Sequence, residues 1–163
     1  MLSTITDALR RGDASAALAA ARAAVAAEPD NAQAQHLLGL SLHKNGDLDG
    51  ARTALAELSA IATLMMTGAL RAMASRAAGW IALAAGQPDD ARRHLEDAVD
   101  RFVQSGAPFE IAAARIGLAR ALAVLGRDAD AALEARRAVD LLVELKAEFQ
   151  LAQARALLAT LTD

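Results

Sequence analysis

Cysteine and tyrosine are absent from the 163 residues, and the aromatic share is only 2%, made up of one tryptophan and three phenylalanines. Without cysteine there is no disulfide, no thiolate metal site and no cysteine nucleophile. Positive charge is not in excess either. The 17 Lys and Arg stand against 20 Asp and Glu, a net charge of -3, so nothing electrostatic calls for nucleic acid as a partner. Val, Ile and Thr never form an alternating run, which argues against strands. Long apolar runs are missing too. The start, MLSTITDALRRGD, has no basic segment followed by an apolar stretch, so no signal peptide is read there. The alanine-rich run 14–27 is broken by Arg22 and closed by Glu28, too short and too polar to span a bilayer. The default expectation is a cytoplasmic protein without membrane contact.

What the chain does have is alanine, 45 of its 163 residues. Alanine is the strongest helix former and lets helices approach closely, so the composition favours thin, tightly packed helices. The alanines are also placed in register with a set of glycines. Gly12, Gly46, Gly86 and Gly126 stand 34, 40 and 40 residues apart, and each is followed five residues later by Ala17, Ala51, Ala91 or Ala131. Seven residues beyond those come Ala24, Leu58, Ala98 and Ala138; seven before the last three glycines come Gly39, Gly79 and Ala119. The pattern reads as a recurring helical hairpin. The glycine permits the positive φ of the turn, Asp47, Asp89 or Asp128 helps start the second helix, and the small residues mark helix crossings. One hairpin cannot bury its own apolar stripe, so the hairpins must stack. Helices are expected at 2–11, 14–27, 32–44, 48–62, 68–85, 89–104, 108–125, 128–146 and 149–162.

The stretch 31–58, NAQAQHLLGLSLHKNGDLDGARTALAEL, carries Leu38-Gly39, Asn45-Gly46-Asp47 and Ala51 at offsets that resemble the tetratricopeptide repeat. The preceding segment ends in the Pro29 expected between such repeats, whereas Thr63 replaces the next closing proline. From about residue 70 the text GWIALAAGQPDDARRHLEDAVDRFVQSGAPFEIAAARIGLARALAVLGR is similar to the helical-repeat region of LuxR/MalT-type bacterial transcription activators. No GxxxxGK[ST] occurs, so the nucleotide chemistry of those activators does not carry over. The resemblance implies an all-α fold, an α-solenoid of antiparallel helix hairpins wound as a right-handed superhelix of about four and a half repeats. The chain reads as a single repeat domain, with residues 1–63 in a 34-residue register and 64–163 in a 40-residue register. Shifting by 40 maps Phe109 onto Phe149 and Arg115 onto Arg155, which makes 149–162 the first helix of a further hairpin and a C-terminal cap. Its stripe is Leu151, Ala154, Leu158 and Leu161, and its outer side carries Ala152, Ala156 and Ala159, a route to self-association through the terminal helices.

A search for chemistry is mostly negative. His36 and His43 share a helix face but stand two turns apart, about 10.5 Å along the axis, too far for one ion. His94 is alone. The serines have no His and acid at a suggestive spacing, and pairs such as Asp89-Asp90 and Glu96-Asp97 fall at helix starts or exposed positions. No catalytic residue, metal or cofactor is expected.

The inner face of the solenoid remains. The resemblance implies that the first helix of each hairpin lines it at the second, fifth, ninth and twelfth positions of the repeat. Counted from the turn glycines, these are Gln33, His36, Leu40 and His43, then Met73, Arg76, Trp80 and Leu83, then Ala113, Ile116, Arg120 and Ala123. Gln33, His36, Leu40, His43, Met73, Arg76, Trp80, Ile116 and Arg120 are the candidate partner-binding residues. They lack the Lys and Asn of the family's two-carboxylate clamp. Trp80 reads as an anchor or as a gap filler; Met65, Met66 and Met73 read first as core and second as adaptable contact surface. The expectation is a non-catalytic scaffold that binds a protein or peptide. The alternatives are a ligand-sensing regulatory segment of a LuxR/MalT-like protein, or an engineered or fused scaffold without a native partner.

Overall fold

The computed structural model describes residues 1–65 and 67–162; Met66 and Asp163 lie outside the described residues. Among the described residues the chain forms nine α-helices and no strand: α1 (Leu2–Arg10), α2 (Ala14–Ala27), α3 (Ala32–Lys44), α4 (Leu48–Met65), α5 (Gly68–Ala84), α6 (Pro88–Gln104), α7 (Pro108–Val124), α8 (Asp128–Glu144) and α9 (Glu148–Thr162). Every helix packs on the next, and the odd helices also touch one another in series, α1 on α3 through to α7 on α9. No two even helices touch among the described residues. The stack therefore curves, with the odd helices on its inner side and the even helices splayed on its outer side.

The periods have a simple origin. Helices α5 to α8 are each 17 residues long, and with three-residue connections they make the 40-residue repeat. In the first half α2 has 14 residues and α3 has 13, giving the shorter period. At the α7–α8 turn the closing geometry is plain. Gly126 has φ +71, its N–H donates to Ala123 O, and the Arg127 N–H donates to Leu122 O. This is the left-handed cap that satisfies the last carbonyls of a helix. The turns at Gly12, Gly46 and Gly86 repeat it.

Helix starts depart from expectation in part. Asp13 and Asp47 cap α2 and α4, accepting from the Ala16 and Gly50 N–H groups, and Asn31 caps α3 through the Ala34 N–H. Asp89 and Asp128 make no cap. They lie inside the first turns of α6 and α8, behind Gln87 and Arg127, where a carboxylate favours the helix dipole instead. Helix α4 runs three residues past its expected end, to Met65.

The core follows the glycine register. Ala17, Ala51, Ala91 and Ala131 have no exposed surface, and Ala24, Leu58, Ala98 and Ala138 are buried with them. Leu95 of α6 sits between two glycines: a methyl on Gly79 would stand 2.5 Å from Leu95 Cγ, and one on Gly117 2.9 Å from Leu95 Cδ2. Gly39, the counterpart of Gly79, has ordinary room, its nearest neighbour being Ala54 Cβ at 3.6 Å. On the outer side, Glu134 of α8 is buried between Arg115 of α7 and Arg137, the latter at 2.7 Å, tying the last full hairpin together.

Candidate partner-binding groove

The odd helices enclose a cleft of about 810 Å³ on the inner face. All nine candidate residues border it, as does Ala113, whereas Leu83 and Ala123 do not. The repeat register explains how they come together. Fifth positions form one column, His36, Arg76 and Ile116, and ninth positions form a second, Leu40, Trp80 and Arg120. Residues in one column belong to neighbouring odd helices that pack directly on each other.

The fifth-position column is knit by charge. Arg76 forms an ion pair with Glu110 of α7, and its other terminal nitrogen donates to His36 Nε2 at 3.1 Å. Its guanidinium carbon also stands 5.5 Å from the centre of the Phe102 ring. Arginine has no acceptor, so His36 must accept at Nε2 and carry its proton on Nδ1. His36 is a buried residue, not an open groove side chain. Burial, and then the positive charge of Arg76, pushes its pKa down to about 3, so the ring is neutral. His43 is half-buried, and its pKa is lowered by burial and then by Lys44. The Nδ1 atoms of both histidines lack a hydrogen-bond partner, and both residues border an apolar crevice of about 30 Å³ between α3, α4 and α5.

The ninth-position column is held by stacking. The Arg120 guanidinium carbon lies 5.3 Å from the centre of the Trp80 ring, within range of a cation–π contact. Trp80 is half-buried: Cζ2 would lie 3.2 Å from a methyl on Gly117, while another part of the residue borders the cleft. Arg120, Lys44 and Gln33 are exposed at the cleft, and Met73 is half-buried in its wall. Met65 is exposed at the end of α4, so its reading as core is corrected; Met66 lies outside the described residues.

Several lining residues escaped the sequence reading. Thr6 of α1 and Gln153, Ala156 and Thr160 of α9 border the cleft. The same offsets, carried one repeat outward at each end, pick out all four. Ala156 therefore belongs to the inner face, not to the outer side of α9. Glu110 and Gln150 stand 40 residues apart in the extra N-terminal turns of the longer helices, ahead of the counted positions. Among the described residues no three His, Asp or Glu side chains could hold a metal ion, and no helix is long and apolar enough to cross a membrane.

Residues 2–63 and 76–142 match the tetratricopeptide repeat family. Two solved structures share the fold. One is a point variant of nearly identical TPR-like repeats from a protein described as a kinesin light chain of Podosopora anserina, 18% identical, with 98% of this chain and 90% of that chain covered and a TM-score of 0.64. The other is the ArsTM double mutant of MamA RS-1, 21% identical, with coverage of 96% and 89% and a TM-score of 0.52. No curated protein matches the chain in sequence.

Proposed function

Since the chain belongs to the tetratricopeptide repeat family, we propose that it is a non-catalytic docking module whose inner face receives a segment of a protein or peptide partner. The observation that carries this reading is the Trp80–Arg120 stack beside a cleft of about 810 Å³. Tryptophan and arginine are the side chains that most often supply the energy of protein contacts, and here each holds the other in place before a partner arrives. Gln33, Leu40 and Met73 supply adaptable polar and apolar surface along the same wall. His36 and Arg76 serve as a rigid floor, because the Arg76 guanidinium is engaged with both His36 Nε2 and Glu110. The division of the chain into a 34-residue register over 1–63 and a 40-residue register over 64–163, with 149–162 as the cap, is part of the proposal, as is a cytoplasmic site of action.

The ligand-sensing alternative, drawn from the likeness to LuxR/MalT-type regulators, needs an enclosed pocket. The crevice beside His36 and His43, at about 30 Å³, has room for one or two water molecules and not for a metabolite.

Panning a random peptide library on the immobilised chain tests the docking reading. Selected peptides should shift Trp80 emission on titration and lose at least about tenfold in affinity against Trp80→Ala or Arg120→Ala. Peptides that bind both variants as well as the parent would place the docking surface elsewhere and overturn it.

A further inference from the structure

Short connections between packed helices make the stack strictly up and down. The α4–α5, α6–α7 and α8–α9 connections therefore share one edge, and the α3–α4, α5–α6 and α7–α8 turns share the other. The two edges differ sharply in chemistry. The second is built from glycine turns followed by Asp47, Gln87 or Arg127. The three corners of the first carry seven of the ten exposed large apolar side chains among the described residues. Leu64, 84% exposed, and Met65 end α4. Val103 and Phe109 flank the α6–α7 connection, and Val143, Leu145 and Phe149 surround the α8–α9 connection, with Phe149 48% exposed. Because neighbouring odd helices touch, these corners follow one another at about 10 Å, a helix spacing.

We propose that this edge is the interface of a two-fold dimer of the chain. Summed over the three corners, the exposed parts of these seven residues amount to on the order of 700 Å² per chain. Two copies would cover about 1,400 Å², within the range of specific interfaces. The order of the corners selects the second copy as occupant. A two-fold axis through the α6–α7 corner sets Val103 and Phe109 against themselves and brings the end of α4 to the partner's α8–α9 corner. The flexible Met65 then meets the partner's Phe149, a favourable sulfur–aromatic pairing.

Charge fits the same arrangement. Arg71, in the first turn of α5, and Glu148, at the start of α9, are both exposed and have no ion pair among the described residues. Within one chain they lie two hairpins apart; across the two-fold axis Arg71 faces the partner's Glu148, and the pair occurs twice. The α8–α9 corner also holds Lys146 at φ +54, the only non-glycine residue in the left-handed region among the described residues, where the preceding repeat has Gly106. This lysine, between Glu144 and Glu148 in sequence, holds a backbone conformation that favours glycine.

Sedimentation of the full chain from below about 1 µM to about 100 µM tests the proposal, because interfaces of this size associate with micromolar or tighter affinity. The expected result is a mass rising to twice the 16.9 kDa of one chain. Val103→Glu and Phe149→Glu should each return it to a single chain with an unchanged far-ultraviolet helix signal. Arg71→Glu should weaken association by about tenfold, and adding Glu148→Arg should restore it. A wild type that stays at single-chain mass, or a dimer that survives Val103→Glu, overturns the proposal. Failure of the charge swap to restore association overturns the two-fold register.

Discussion

Gly79 faces Leu95 so closely that a methyl group on residue 79 would stand 2.5 Å from Leu95 Cγ, whereas the same methyl on Gly39 meets nothing nearer than 3.6 Å. Two glycines in one repeat position thus have opposite expectations. Gly79→Ala forces the buried Leu95 or the helix to move and should lower stability by about 1–3 kcal/mol. Gly39→Ala gains helix propensity at no steric cost and should raise it by about 0.5–1 kcal/mol. Urea midpoints of the two variants against the parent decide the matter. A destabilised Gly39→Ala would mean that α3 and α4 approach more closely than described.

The stability of the chain should fall in mild acid. The pKa of His36 in the folded chain, about 3, lies below its ordinary 6.5. Between those values the unfolded chain binds a proton that the folded chain refuses, so stability is full above pH 6.5 and is lost as pH falls toward 3, by at most about 1.4 kcal/mol per pH unit. His43 adds in the same direction. Denaturation of the parent and of His36→Gln between pH 7 and about 4.5, above the carboxylate range, should give a flatter profile for the variant. Parallel profiles would show that His36 is solvated.

Lys146 offers the reverse case, a gain by removal of a side chain. Its φ of +54 is tolerated poorly by any residue with a Cβ, so Lys146→Gly should raise stability by about 0.5–1 kcal/mol. The comparison belongs in a Val103→Glu background, where self-association cannot contribute. No gain there would mean that the lysine side chain makes a compensating contact within one chain.

Arg120 covers one face of Trp80, and Arg120→Ala should uncover it. Quenching of the single tryptophan by acrylamide should increase, with a stability change of no more than about 1 kcal/mol. Unchanged quenching would mean that the guanidinium spends its time in solvent.

The sequence revealed position more readily than depth. A turn glycine fixes where a helix stops, and 3.6 residues per turn then fix which side chains share a face. That is why Ala17, Ala51, Ala91 and Ala131 could be named as crossing points, and why nine residues counted from the glycines border one cleft. How deeply each sits depends on its neighbours in the next repeat. His36 looks like a groove residue by offset, and it borders the cleft, yet it is buried, with Arg76 bonded to its Nε2. Glu110 itself was out of reach, because it comes from a turn that the shorter repeat does not have. Asp89 and Asp128 failed as caps for a related reason: Pro88 begins α6 before Asp89, and α8 opens with Asp128 already inside its first turn.

The even helices do not touch one another among the described residues, so each is braced only by the odd helices before and after it. Each joint between hairpins resists bending mainly through the packing of an even helix on the odd helix that follows it. Small tilts at successive joints add up along the chain, and the width of the inner cleft is an elastic variable of the whole molecule. A partner that prefers a wider or narrower cleft does mechanical work on every joint at once, and so a substitution at a joint that does not itself line the cleft, such as Gly117→Ala against Leu95 of α6, can change affinity by altering the spring.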